Sequence, residues 1–518
     1  MKMTITKSFD LGNFDHVSIT GFLIPCGLYA QRISLIEIFA KHLKIDMKSV
    51  KHSPIDKVME LFVSIIAGCP DNKTINNRLV PDKLAALAWG QEQFADQSQV
   101  NIVLHRVDEE NLKELEDIYQ DLFRRQGLSV RQSSSQPLVI DVDMTGISVS
   151  ETSRTYEGAQ FGYMEVREKK AKGYQFSLAY VGEKEEILGG LLDPGNTHCA
   201  TKLPDLTRLI EKRVGRPPLR RVSHMQSYLH RLQRKDQALR GMVQKKTQQL
   251  GAARKSSRIA TLSQRISKNK KKMEALTTKI NTLQERIESF KQDQNPIGSR
   301  LIIIRGDAGY GTADNVALLF ELGYEFVLKG YSSSASFSLA SSVPEEAWRA
   351  INSSLDMAEA QTNFITGCPY PVRIVLGRKK IPGKNPQYFH LITTLPKTEF
   401  GLKQLLKLYN RRQSIEAFIK AGKITLHFRR LRVRTLPGIK FFLTLSLLAY
   451  NFITWSKGDL FEGSSLSHIG VREFVDQVMR VPAQWQNGVT LFPENNVYAK
   501  TFVKTQNQKF YQLPLLGS

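Results

Sequence analysis

Ile259, Leu262, Ile266, Met273, Leu276, Ile280, Leu283, Ile287 and Phe290 recur at spacings of three, four or seven residues. An apolar stripe of that period and length has to be covered by another helix, because a lone helix would leave it in water. A partner stripe lies upstream, in Met225, Leu229, Leu232, Leu239, Met242 and Leu250, and Gly251-Ala-Ala-Arg-Lys-Ser-Ser between the two suits a bend. The pattern predicts an antiparallel helical hairpin over 213–296.

Away from its seam this hairpin is basic. Between Lys212 and Lys291 stand 22 Lys or Arg against four acids (Asp236, Glu274, Glu285, Glu288), a net of +18, whereas the whole 518-residue chain carries +24. A merely solvated coiled-coil arm would mix its signs, so the scarcity of acids points to a polyanionic partner, nucleic acid first. A content of 41% hydrophobic and 24% charged residues excludes a disordered chain. The four cysteines (Cys26, Cys69, Cys199, Cys368) form no CxxC pair and support neither a zinc module nor a disulfide framework. The opening residues, MKMTITKSFDLGNFDH, lack the apolar core of a signal peptide. The longest apolar stretch, Phe441 to Trp455, is interrupted by Thr444, Ser446 and Asn451 and reads as a buried helix rather than a membrane span. A cytoplasmic chain with no membrane partner is expected.

Residues 1–130 place apolar residues at helical spacing over Leu35–Leu43, Ile55–Ala67, Pro81–Ala95 and Glu109–Arg125. They are expected to form an N-terminal helical, DNA-binding domain, though the same pattern suits an ordinary helical bundle. After Pro137 the pattern changes. LVIDVDMTG (138–146), GYQFSLAYVG (173–182) and EEILGGLLDPG (185–195) read as three strands, followed by a helix from about Ala200 to Lys212. The alternation resumes with RLIIIRGD (300–307), a helix over Ala313–Leu322 and a strand at 324–331. This is an α/β layout with a mixed sheet, its core divided into 137–212, 297–331 and 397–455. The basic hairpin and a small β-rich segment at 332–396 interrupt it. The third core segment opens with a long helix near Leu402–Lys423, and 456–518 carries little readable pattern.

Three acids stand out. Asp143 and Asp307 each close an apolar strand, where a carboxylate is costly, and Glu416 lies on an amphipathic helix. Either aspartate alone could be a turn former or a helix cap. Together with a helical glutamate they resemble the hard-oxygen set that holds Mg²⁺ for phosphodiester chemistry. Asp141 lies two residues before Asp143 on the same strand face and is the alternative first ligand. His224, His230 and His427 have no ligand spacing.

The helix adds a motif. LYNRRQSIEAFIKAGK contains Tyr409, Arg412, Glu416 and Lys423 as Y-x2-R-x3-E-x6-K, with separations of three, four and seven that would align them on one helix face. This pattern resembles the signature of bacterial insertion-sequence transposases with a DDE triad. Asp143-Met-Thr is similar to that family's D-x-T, IRGDAGYG to its second-aspartate segment, and LRVRTLPGIKFFLTLSLLAYNFITW to its C-terminal block. The resemblance implies a ribonuclease-H-like core that cuts and joins double-stranded DNA. It implies Asp143, Asp307 and Glu416 as ligands of two Mg²⁺ ions, with Mn²⁺ able to substitute. Tyr409, Arg412 and Lys423 would contact the DNA backbone, and the protein would act as a homodimer on paired transposon ends. The strip Arg429, Arg430, Arg432 and Arg434 is expected to add DNA contacts. The alternatives are a domesticated DNA-binding protein without catalysis, or a stand-alone nuclease of the same fold. The basic hairpin departs from the simplest family layout.

Overall fold

The computed structural model describes residues 2–6, 17–47, 51–132, 136–164, 170–292, 300–486 and 489–509. The expected hairpin end at 296 and core restart at 297 lie outside the described residues, as does the segment 7–16. The chain forms two compact units. The first comprises Met1–Ser133, Val139–Val214 and Leu408–Ser518, and the second Ser134–Leu138 and Gly215–Lys407.

The strands in chain order begin with β1 (Lys2–Thr6), β2 (Val17–Ser18), β3 (Leu138–Ser148), β4 (Gln160–Tyr163), β5 (Lys170–Val181) and β6 (Glu186–Pro194). There follow β7 (Ile302–Gly306), β8 (Glu325–Lys329), β9 (Arg349–Asn352), β10 (Leu355–Glu359), β11 (Arg373–Ile381) and β12 (Lys384–Thr393). The last two are β13 (Ala483–Gln486) and β14 (Val489–Pro493).

The first unit is built around the helix Leu436–Leu460. It is apolar on every side, so it must be surrounded, and 78% of its most apolar window is buried. Helices Pro54–Ile66, Gln97–Arg106 and Glu109–Gln126 pack on it together with β6. Phe452 contacts Tyr29, Phe62 and Trp89 through ring edges and faces. Its buried Asn451 clasps one residue of β6: Oδ1 accepts the Ile187 N–H at 2.9 Å and Nδ2 donates to the Ile187 carbonyl at 2.8 Å. Two polar arms inside an apolar helix thereby find the partners that burial demands.

Residues 1–130 do not stand apart as a separate domain, contrary to expectation. β1 runs parallel to β14, and β13 pairs antiparallel with both β14 and β2, giving a sheet ordered β1-β14-β13-β2. The N-terminal helices and the region 456–518 therefore share one body. β3 pairs antiparallel with β5, which also carries β4 and β6, and the register sets Asp141 opposite Tyr180 and Asp143 opposite Leu178.

In the second unit β7 and β8 are parallel, joined by the crossover helix Ala313–Glu321. β8 pairs antiparallel with β12, and β11, β10 and β9 follow in turn. The mixed α/β class expected from sequence is therefore present. Residues 332–396 carry β9, β10, β11 and β12. The segment 332–396 is no separate β module, since β12 hydrogen-bonds to β8 and extends the same sheet. Its serine run is a helix, Ser333–Ser341, with Ser332 Oγ accepting the Ala335 N–H at the N-cap.

The basic hairpin consists of helices Val222–Gly251 and Ser256–Gln292. Leu232, Leu262, Ile266, Ile280, Leu283 and Ile287 are buried in its seam. Arg213, placed in the hairpin by sequence, is corrected: it ends the helix Leu203–Val214 in the first unit. There it is buried, with Nε donating to the Leu188 carbonyl, Nη1 to Gln120 and Nη2 to Glu116. The hairpin's root is fixed within the second unit by other arginines. Arg221 donates to the carbonyls of Phe320 and Tyr324 and pairs with Glu325, while Arg286 pairs with Glu321.

Candidate active site

Asp143 does not close its strand as expected but sits at the middle of β3, which runs on to Ser148, and its side chain is 16% exposed. Its Oδ1 accepts the Met144 N–H at 2.8 Å, and its Oδ2 accepts from Arg412 Nη1 at 3.0 Å. The same guanidinium donates through Nη2 to Glu416 Oε1 at 2.7 Å. One planar cation thus joins a strand carboxylate to a helix carboxylate, each by a charge-assisted bond.

Arg412 can do this because the helix is broken. The single helix expected over Leu402–Lys423 is two, Leu402–Asn410 and Gln413–Ile424. At the break the bonds tighten to three-residue spacing, from Arg412 N to the Tyr409 carbonyl and from Ser414 N to that of Arg411. The proposed common face of Tyr409, Arg412, Glu416 and Lys423 is therefore corrected. Tyr409 ends the first helix, Arg412 caps the second, and only Glu416 and Lys423 share the second helix body, Lys423 in its last turn.

The second helix is held by its apolar side. Phe418 stacks on Tyr180 of β5 at 4.9 Å between ring centres and meets Tyr450 edge-on at 4.6 Å. Beside it Ser414 Oγ donates to Asp141 Oδ2 at 3.1 Å, and Asp141 is fully buried. Gly182 closes this corner, where a Cβ would overlap the Ser414 hydroxyl. Sequence reasoning passed over Ser414, whose only signal is its place two residues before the glutamate.

Asp307 belongs to the second unit. It follows β7, and its Oδ1 accepts the Gly309 N–H at 2.9 Å, which shapes the Asp307-Ala-Gly-Tyr-Gly turn. Gly311 in that turn lies against β8, where a Cβ would overlap the Lys329 carbonyl. Tyr310 is buried, and its carbonyl accepts from Asn315 Nδ2 at 3.1 Å, tying the turn to the start of the following helix. Among the described residues no group of three or more His, Cys, Asp or Glu is gathered as a metal-ligand set.

The arginine strip divides. Arg429, Arg430 and Arg434 are exposed; Arg430 pairs loosely with Asp71 at 3.6 Å, and Arg434 lies over the Tyr156 ring. Arg432 is corrected as a DNA contact. It is buried, with Nη1 donating to Ser64 Oγ at 2.6 Å, Nη2 to the Cys69 carbonyl, and its guanidinium over Phe442. His224 packs edge-on against Phe320, and His427 is half-buried with a positive φ of 57°.

No curated protein matches the chain. Residues 275–452 match a family model described as the transposase DDE domain, a span that contains Asp307 and Glu416 with the basic pair Arg412 and Lys423. Over that span the chain is similar to the DDE transposases.

Proposed function

We propose that this protein is a cut-and-paste DNA transposase that binds the terminal inverted repeats of an insertion sequence, cleaves at its ends and transfers the 3′ ends into target DNA. The observation that carries this reading is the Asp143–Arg412–Glu416 bridge, which turns a strand carboxylate and a helix carboxylate toward one positive charge. Oxygen donors facing a shared cation are the chemistry a divalent metal requires, so the donor set fits Mg²⁺ or Mn²⁺. Asp143, Asp307 and Glu416 would hold two such ions. When bound, the ions lower the cost of generating the attacking oxygen and stabilise the leaving one.

The chain's own residues supply the rest. Arg412 offsets the repulsion between two neighbouring carboxylates and keeps them convergent. Lys423, seven residues after Glu416 on the same helix, offers an ammonium to a backbone phosphate, and Tyr409 offers a hydroxyl from the helix before. Arg429, Arg430 and Arg434 extend the cationic surface. The basic hairpin adds sequence-independent contacts to double-stranded DNA, and a homodimer would pair two ends.

The test is Mg²⁺-dependent cleavage of end-containing duplexes by Asp143→Asn, Asp307→Asn and Glu416→Gln. Each should lose cleavage by about a thousandfold or more while keeping end-binding. Chelation of the metal should do the same to the unmodified protein. Near-normal cleavage by Glu416→Gln refutes the triad, and loss in Asp141→Asn with retention in Asp143→Asn moves the first ligand to Asp141.

A further inference from the structure

The helix Pro54–Ile66 begins beside a cavity of about 440 Å³ in the first unit, whose lining includes Lys51, His52, Lys57, Phe94, Asp96 and Gln99. Lys57 is only 3% exposed. Among the described residues its ammonium has no hydrogen-bond or ion-pair partner, and the cavity is what it borders. The stem of Lys57 is packed away and its ammonium is not among the buried atoms left unsatisfied, so an anion in the cavity would meet it without displacing a protein partner.

The neighbouring acids are committed elsewhere. Asp56 accepts the Ser53 N–H at 2.7 Å in the capping box that starts the helix. Asp96 Oδ1 accepts the Ser98 N–H at the start of the helix Gln97–Arg106. Glu60, one turn beyond Lys57, accepts the Ala95 N–H at 2.8 Å through one oxygen, and its other oxygen has no partner among the described residues. Burial, with a smaller push from the Asp96 charge, raises the Glu60 pKa to about 9, so it stands protonated at neutral pH. Of the charged side chains that line the cavity, Lys51 and Lys57 are cationic and Asp96 is anionic, which leaves one positive charge in excess. The cavity also lies at the N-terminal ends of two helices, of 13 and 10 residues, whose dipoles add to that excess.

We propose that this cavity is a phosphate-binding site built on Lys57, with Lys51 as the second cation at its rim. The phosphate is a backbone phosphodiester of DNA, which rests on the transposase reading, or a free phosphate, which does not. The site lies among the N-terminal helices and away in sequence from the DDE residues, so it would bind without cutting.

Both sources are tested on the full-length protein. In the first arm inorganic phosphate is titrated against chloride at equal ionic strength and thermal unfolding is followed. Phosphate should raise the midpoint by about 2 °C or more. Lys57→Met should abolish the rise and Lys51→Gln should weaken the apparent affinity severalfold. In the second arm the salt dependence of duplex DNA binding is measured. A loss of about one in the log–log slope for Lys57→Met assigns the site to a backbone phosphate. An unchanged slope with a phosphate effect that depends on Lys57 assigns it to a free phosphate. No phosphate-specific stabilisation of the unmodified protein, or an equal one in Lys57→Met, overturns the site. If Lys57→Met does not fold, Lys51→Gln decides, and undiminished phosphate affinity in that variant overturns it. Failure of the protein to bind any duplex would refute the transposase reading and leave the phosphate arm standing.

Discussion

The Ser414 hydroxyl donates to the buried Asp141 carboxylate at 3.1 Å, fastening the start of the Glu416 helix to the strand that carries Asp143. Asp141 and Asp143 thus divide their work on one strand: the first holds the helix, and the second faces Arg412. Ser414→Ala should cost about 1 kcal/mol in thermal or urea unfolding. It should also lower the cleavage rate with end-binding unchanged, and Ser414→Thr, which keeps the hydroxyl, should restore most of the rate. Gly182→Ala should mimic the loss, because its Cβ displaces the Ser414 hydroxyl. Normal cleavage by Gly182→Ala and Ser414→Ala together would show that the contact only stabilises the fold.

Arg432 and Arg434, two residues apart, should behave oppositely. Removing Arg432 leaves its buried partners at Ser64 and Cys69 unanswered, so Arg432→Ala should destabilise the protein by about 2–4 kcal/mol. Arg434→Ala should leave stability nearly unchanged and weaken DNA binding, with a shallower salt slope. Unfolding midpoints and salt titrations of the two variants separate these outcomes.

Two buried groups should narrow the pH range of stability from opposite sides. His390, packed in the second unit with Nδ1 at 2.7 Å from Ser336 Oγ, has its pKa lowered to about 4 by burial. The unfolded chain takes up this proton first as pH falls, so stability is full above about 6.5 and is lost as pH drops toward 4, by up to about 3 kcal/mol. Glu60 has the reverse sign. With a folded pKa of about 9 it contributes fully below the ordinary carboxylate range and loses its contribution as pH rises toward 9. Glu60→Gln should therefore gain stability relative to the unmodified protein at pH 8 and little at pH 5. Urea unfolding across pH 4–9 reads both effects, and an equal gain at pH 5 and pH 8 would refute the assignment to Glu60.

The outer hairpin can be removed without its root. Arg240 Nη2 meets Thr277 Oγ1 across the two helices at 3.5 Å, so a short Gly-Ser bridge between these residues can replace Gly241–Leu276. The deletion takes ten Lys or Arg and one acid but spares Arg221, Arg231 and Arg286, which fix the base. The protein should fold, bind DNA of any sequence more weakly and show a flatter salt slope, by about 0.9 for each phosphate that the arm no longer neutralises. An unchanged slope would make the arm a protein-binding coiled coil.

Patterns that repeat along the chain were legible before folding. The hairpin follows from its apolar period, and the mixed sheet from short branched runs bounded by turns. Asp143 and Asp307 drew notice as acids at apolar strands, and Glu416 through its place in the Y-x2-R-x3-E-x6-K pattern. What escaped depends on chain segments far apart in sequence. Arg213 and Arg432 look like surface cations until the carbonyls of Leu188 and Cys69 are brought to them. The break at Arg411–Arg412 has no proline or glycine to announce it, so helical periodicity ran straight through. The pairing of β12 with β8 joins residues more than sixty apart, which no local pattern encodes. Lys57 reads as an ordinary charged residue in the first turn of a helix, and only the folded unit buries it.

Among the described residues β1 pairs with β14 alone, and Lys2 lies opposite Val489. During synthesis at roughly 5–20 residues per second, the intervening stretch of roughly 480 residues takes about 25–100 s to make. For that interval Lys2–Thr6 has no strand to pair with, while the helices that follow it are already free to collapse. The first unit therefore cannot close before Val489–Pro493 has been made, whatever the folding speed of the elements before it.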